Sequence, residues 1–217
     1  MIELLHNHGG DILRGLFNTI AIVAIGFAAG AIAGTALAFP LGAKRAAVRL
    51  PVRCYVEAIR NTPFLIQAML IFATVGVFRL RIDPQLAGVL AVAIYTSAYM
   101  AEIIRGALKS VPEGQWDAAA ALGLRSLRRF RLIILPQLLP FALPACVNLV
   151  GTVAKESAFL SAVSVPELTF AGQVVIAQTF KVFEVWAIIG GLYLALVLVI
   201  LAIARRLESR MAWLQPA

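Results

Sequence analysis

Charge is scarce in this chain. Only 14% of its 217 residues are charged, 61% are hydrophobic, and the mean hydropathy is +0.91. A soluble domain carries about a quarter charged residues, and a chain this apolar would leave too much apolar surface in water. The composition excludes a soluble domain and points to an integral membrane protein. Cysteine is also rare: Cys54 and Cys146 fall in or beside apolar runs, at no zinc-ligand spacing. They read as small apolar fillers rather than a disulfide. His6 and His8 are too little to mark a metal site, and the short polar stretch 1–11 that holds them reads as a flexible, exposed terminus. No Gly-x-x-x-x-Gly-Lys-Ser/Thr run occurs, so the chain does not cradle nucleotide phosphates itself. A nucleophile elbow and a His-Glu-x-x-His pair are missing too, and no catalysis is assigned to this polypeptide.

What the chain does have is apolar runs long enough to cross a bilayer, and they predict an all-α integral membrane fold with five transmembrane helices. The spans fall at about residues 13–41, 55–77, 86–108, 141–160 and 185–204 of a single transmembrane domain, 1–217. Ala36-Leu37-Ala38 resembles a signal-peptidase site, but no basic segment precedes the first run and the run is too long, so it reads as a span that stays. Gly26, Gly30 and Gly34 recur at i+4 within it, a row where another helix approaches closely. Lys44, Arg45, Arg49 and Arg53 form a basic loop before the second span. That span carries Glu57 and Arg60 on one face, then Asn61-Thr62-Pro63, where proline interrupts the helix and leaves a carbonyl free at membrane depth. Arg79, Arg81 and Asp83 close it. Glu102 and Arg105, three apart near the end of the third span, are expected to pair. Pro140 and Pro144 are placed at the entrance of the fourth span, where missing amide donors cost least.

The net charge of +8 raises the question of nucleic acid, but the basic residues sit between apolar spans and serve as orientation signals. Thirteen of the 19 Lys and Arg residues lie in the loops after spans one and three and in the C-terminal tail, against four on the other side. Positive-inside counting predicts an external N-terminus and a cytoplasmic C-terminus.

Lys155, Glu156 and Ser157 are the most informative residues placed inside the membrane. With a span entering at Phe141, Lys155 lies about 21 Å along the helix, in the outer half of a hydrocarbon core roughly 30 Å thick. An ionisable residue there reads as a functional site facing a polar cavity or a partner charge. The alternatives are snorkelling to the headgroups and a structural pair with another helix.

The loop at about residues 110–136 is unusual in being polar and helical together. Ser110-Val111-Pro112-Glu113 has the form of a capping box, and Asp117-Ala118-Ala119-Ala120-Ala121-Leu122 continues a helix whose small side chains suit close docking in a groove. Gly123 permits a sharp exit, and Arg125, Arg128, Arg129 and Arg131 mark a face turned to water or headgroups. Asp117-Ala118-Ala119, then Gly123, then Ile133-Ile134-Leu135-Pro136 resembles the "EAA" loop of ABC importer permeases, with Asp117 where Glu is usual. The loop lies on the side assigned to the cytoplasm, between spans three and four.

The likeness covers about residues 12–210. Arg60-Asn61-Thr62-Pro63 resembles the Arg-Gly-Thr-Pro of polar amino-acid permeases, with Asn61 in place of glycine. Lys155-Glu156-Ser157 and Val165-Pro166-Glu167-Leu168 are similar to two further segments of that subfamily, which serves histidine, glutamine, arginine, glutamate or opine uptake. The resemblance implies a type I importer permease moving a polar amino acid by alternating access. It implies a coupling helix with Gly114, Asp117, Ala118, Ala119 and Gly123 docked on an ATPase subunit, and ATP and magnesium bound by that partner rather than by this chain. Further implied partners are a second permease copy or paralogue, an external solute-binding protein and the bilayer, with no nucleic acid and no metal. Five helices do not easily enclose a hydrophilic path alone, which also favours a dimer. Arg60, Asn61, Thr62, Lys155, Glu156 and Ser157 are the candidate substrate path. A permease for another solute and an ATPase-independent channel or transporter are the alternative readings; an intramembrane enzyme lacks a catalytic constellation.

Overall fold

The computed structural model describes residues 2–79 and 82–210, and their regular structure is helical throughout. Arg81, expected to help close the second span, lies outside the described residues. Four helical runs are long and apolar enough to cross a membrane: Leu4–Leu41, Pro84–Ser110, Ser126–Val163 and Val182–Arg206. Ala46–Arg60 and Phe64–Val77 make a fifth, broken span with a bend of 110° between them.

Helix α1 runs over Ile2–Leu41. The polar terminus is therefore helical rather than flexible, because Leu4 and Ile12 are buried against Leu168, Val175, Val185 and Ile189 of the C-terminal helices. The glycine row of α1 meets α4 (Pro84–Ser110) as its spacing foretells. A Cβ on Gly26 would lie 2.6 Å from Val92, and one on Gly30 would lie 2.5 Å from the Ala93 carbonyl. A Cβ on Gly34 would press on the Ser97 carbonyl and Met100. Only glycine allows two backbones this close. Asp83 starts α4 by accepting a hydrogen bond of 3.0 Å from the Gln85 amide, with Pro84 in the first turn.

The second span departs from expectation. Helix α2 (Ala46–Arg60) begins nine residues before Tyr55, so Arg49 and Arg53 stand on a helix and not in a loop. Arg53 pairs with Glu57 at 2.7 Å, four residues on, while Arg60 turns elsewhere. Helix α3 (Phe64–Val77) follows, with Pro63 as its N-cap.

The fourth span also starts earlier. Helix α5 (Glu113–Ala121), α6 (Ser126–Arg129) and a π-helical turn (Phe130–Ile134) lead into α7 (Leu135–Glu156). Pro136 takes the first turn, and Pro140 and Pro144 are inside the helix rather than at its entrance. The three prolines are spaced at i+4, so their missing donors fall along one side of the helix. Lys155 is then about 30 Å along α7, in its last turn and exposed. A 3₁₀ segment (Ser157–Val163) ends on Ser164 at φ 61°, and α8 (Leu168–Thr179) and α9 (Val182–Arg210) complete the chain.

Candidate functional site

Tyr95, Tyr99, Glu102, Arg105 and Lys109 recur every three or four residues, so α4 carries one polar stripe along its length. Helix α2 lies across that stripe. The Tyr55 and Ser97 hydroxyls share a hydrogen bond of 2.6 Å, and the Tyr99 hydroxyl donates to the Arg60 carbonyl at 3.4 Å. The Arg60 guanidinium sits 5.5 Å above the Tyr99 ring centroid and 3.8 Å from Glu102. Glu102 is held more firmly by Arg105, which donates from Nε at 2.8 Å and also from Nη2. That pair is the one the spacing foretold.

The break between α2 and α3 is polar, and its freed carbonyls find side-chain donors. Pro63 cannot donate to the Ile59 carbonyl, the bond a continuous helix would make. Gln67 Nε2 donates to Ile59 O at 2.7 Å and to Thr62 O at 2.8 Å instead. Asn61 Nδ2 and Thr62 Oγ1 each donate, at 2.8 Å, to the carbonyls of Glu57 and Ala58. The free carbonyl expected at this depth is therefore occupied by a side chain from the next helix.

Two cavities open along the stripe. The inner one, about 510 Å³, is lined by Arg60, Asn61, Thr62, Tyr95, Tyr99 and Glu156, with Phe64 and Phe159 among its apolar walls. The ring of Phe64 meets Tyr95 edge-on at 5.3 Å. The second cavity, about 460 Å³, lies nearer the α5 end of α4. It holds Arg49, Arg53, Arg60, Arg105 and Lys109 against only Glu57 and Glu102.

Helix α5 occupies the loop at that same end. Its start is not a capping box: α4 continues through Ser110, whose hydroxyl donates to Gly106 O at 3.3 Å, and Pro112 is the N-cap of α5. The exit is as expected. Gly123, at φ 71°, takes the left-handed position, and the amides of Gly123 and Leu124 donate back to the carbonyls of Ala120 and Ala119. Trp116 anchors the helix on the cluster of Ala107, Val111, Ile134, Leu138 and Ala142. Gly114, Asp117, Ala118 and Gly123 are exposed, Ala119 is buried, and a Cβ on Gly114 or Gly123 would meet open space. Leu122 and Leu127 flank Gly123 at 77% and 78% exposure.

Of the six candidate path residues, Arg60, Asn61, Thr62 and Glu156 share the inner cavity. Lys155 and Ser157 do not line it: Lys155 is exposed outside it, and Ser157 is buried with its hydroxyl on Ala154 O at 2.9 Å. Tyr95, Tyr99, Phe64 and Phe159 were missed as lining residues, although the spacing of Tyr95, Tyr99 and Glu102 was a usable signal. Glu167 is fully buried, caps α8 through the amides of Thr169 and Phe170, and accepts a hydrogen bond of 2.5 Å from Tyr193. Its surroundings are those of a structural anchor. Cys54 and Cys146 are both free; Cys54 is exposed and so fills no gap, while Cys146 sits half-buried with its sulfur 3.6 Å from that of Met100.

Long apolar helices, a broken span whose bend lines a polar cavity, and a small-residue helix left bare between two spans define a membrane transport subunit. The chain belongs to the family of binding-protein-dependent transport system inner membrane components, whose model matches residues 26–213. The glutamine transport system permease protein of Escherichia coli strain K12 is 36% identical over 202 residues, 92% of each chain. An octopine transport system permease protein of Rhizobium radiobacter is 34% identical over 81% of this chain and 77% of its own. Among solved structures, an amino acid ABC transporter crystallised with histidines superposes with a TM-score of 0.86 at 31% identity, over 95% of this chain and 96% of that one. An inward-facing methionine ABC transporter shares the fold at a TM-score of 0.82 and 21% identity, over 93% and 96%. The chain is thus a permease subunit of the type I importer fold.

Proposed function

We propose that the chain forms, as one transmembrane domain paired with a second copy or paralogue, the path for a polar amino acid in an ATP-driven importer. The observation that carries this reading is the inner cavity, to which α2 contributes the cation Arg60 and α7 the carboxylate Glu156. The Glu156 carboxylate makes no hydrogen bond among the described residues, and its charge suits a substrate ammonium as Arg60 suits a carboxylate. Glutamine and the opines, named for the relatives above, are the first solutes to try. Helix α5 is the docking element for an ATPase subunit that binds ATP and magnesium. Its exposed alanines, open glycines and flanking Leu122 and Leu127 support that role. The basic loops support a cytoplasmic α5 and an external N-terminus. Closure of the ATPases would push on α5 and rock the spans between inward- and outward-facing states, with solute delivered by an external binding protein.

The test is co-purification with the ATPase subunit encoded beside it, comparing wild type with Asp117→Arg and Gly123→Trp. Capture by wild type and loss in both variants is expected. Capture that survives both changes would remove α5 from the interface. Glu156→Ala should then abolish amino-acid uptake in proteoliposomes while the complex still assembles; lost assembly would make Glu156 structural.

A further inference from the structure

Arg60 is the one residue that lines both cavities among the described residues. On the inner side stand Tyr95, Tyr99 and Glu156; on the side nearer α5 stand Arg49, Arg53, Arg105 and Lys109. Its side chain is 39% exposed and only loosely tied, since the 3.8 Å approach to Glu102 is longer than a hydrogen bond. Glu102 does not depend on it, because Arg105 already holds both carboxylate oxygens. The Tyr99 ring beneath the guanidinium gives it a fixed platform from which to swing.

We propose that Arg60 is a carboxylate-operated gate between the two cavities, trading its contact with Glu102 for the carboxylate of the passing solute. The proposal rests on the reading of this chain as a path for a carboxylate-bearing solute. A half-exposed ion pair is weakly held, whereas a bidentate guanidinium–carboxylate bond is among the stronger polar contacts. An empty inner cavity leaves Arg60 on Glu102 and the passage shut. An arriving carboxylate draws Arg60 away at little cost, since Glu102 stays neutralised by Arg105. Beyond the gate the solute enters a cavity lined by Arg49, Arg53, Arg105 and Lys109, with more cations than carboxylates. Glutamine bearing a free carboxylate would open the gate and glutaminamide would not.

The test uses the full chain in its co-expressed complex, with Cys54→Ser and Cys146→Ala removing the native thiols and Leu65→Cys, at a residue in the wall of the inner cavity, as the reporter. Vesicles are sealed with the α5 face outward, verified by labelling a separate Ser126→Cys variant. One anionic and one cationic methanethiosulfonate reagent are applied from that face, so that opening raises both rates while a change in local charge moves them oppositely. In the parent, Leu65→Cys is expected to react slowly and to speed up with glutamine but not with glutaminamide. Arg60→Ala and Glu102→Gln are each expected to raise both rates by about fivefold, the effect of losing an exposed pair. Glu102→Gln keeps the test decisive if Arg60→Ala fails to assemble. Unchanged rates in both variants, or a parent that already reacts as fast as Ser126→Cys, would overturn the gate. Absence of any amino-acid uptake by the parent would instead defeat the functional reading, and the labelling rates of the two variants would still decide whether Arg60 closes the passage.

Discussion

The two faces of α4 are built on opposite rules. Toward α1, three glycines bring backbone against backbone, with Val92, Thr96 and Ala101 buried in the seam. Toward α2 and α3 the same helix offers tyrosines and charges, and the packing opens into two cavities. The glycine seam leaves no room for an added side chain, so α1 and α4 are packed backbone to backbone. The polar face keeps half-exposed groups with alternative partners. A transport subunit needs both close packing and a path that rearranges, and α4 carries them on two faces of one helix.

The comparison breaks most sharply at Gly30. Its added methyl would lie 2.5 Å from the Ala93 carbonyl and 2.6 Å from Thr96 Cβ. Gly30→Ala is expected to cost about 3 kcal/mol, the upper range for overpacking against an unyielding neighbour, read as a fall in thermal midpoint of the detergent-solubilised protein. Tolerance of the change would show that the seam yields. On the polar face, Gln67→Leu should cost about 1–3 kcal/mol by leaving the Thr62 carbonyl unbonded and the Ile59 carbonyl with only a long 3.4 Å bond from the Thr62 amide. The same assay reads it, and no loss would mean that water replaces the amide. Glycines outside the seam sharpen the contrast: Gly123→Ala should cost about 1 kcal/mol for its left-handed backbone, while Gly114→Ala, open on every side, should stay within about 0.5 kcal/mol. Equal effects at the two positions would refute the backbone origin. Tyr99→Phe is the gentlest change. It keeps the ring beneath Arg60 and gives up the 3.4 Å hydrogen bond to the Arg60 carbonyl, so stability should move by less than about 0.5 kcal/mol.

Composition and periodicity alone determined that this is an all-helical membrane protein, that Gly26, Gly30 and Gly34 receive another helix, that Glu102 pairs with Arg105, and that a helix ends at Gly123. Each is a local property: spacing along one helix decides which side chains share a face, and glycine alone enters the left-handed region cheaply. Element boundaries were less legible. The polar terminus and the Arg49–Arg53 half of the basic loop proved helical because buried Leu4 and Ile12 in the first case, and the packing of Val52, Tyr55, Val56 and Ile59 on α1 and α4 in the second, supply what local sequence withholds. Only the tertiary structure decided that Glu57 takes Arg53 and leaves Arg60 to Glu102, that Gln67 fills the gap made by Pro63, and that Glu156 lines the inner cavity while Lys155 does not. Charges choose partners through space. The 110° bend and the crossing of α2 over α4 set those distances, and neither is written in the period of a single helix.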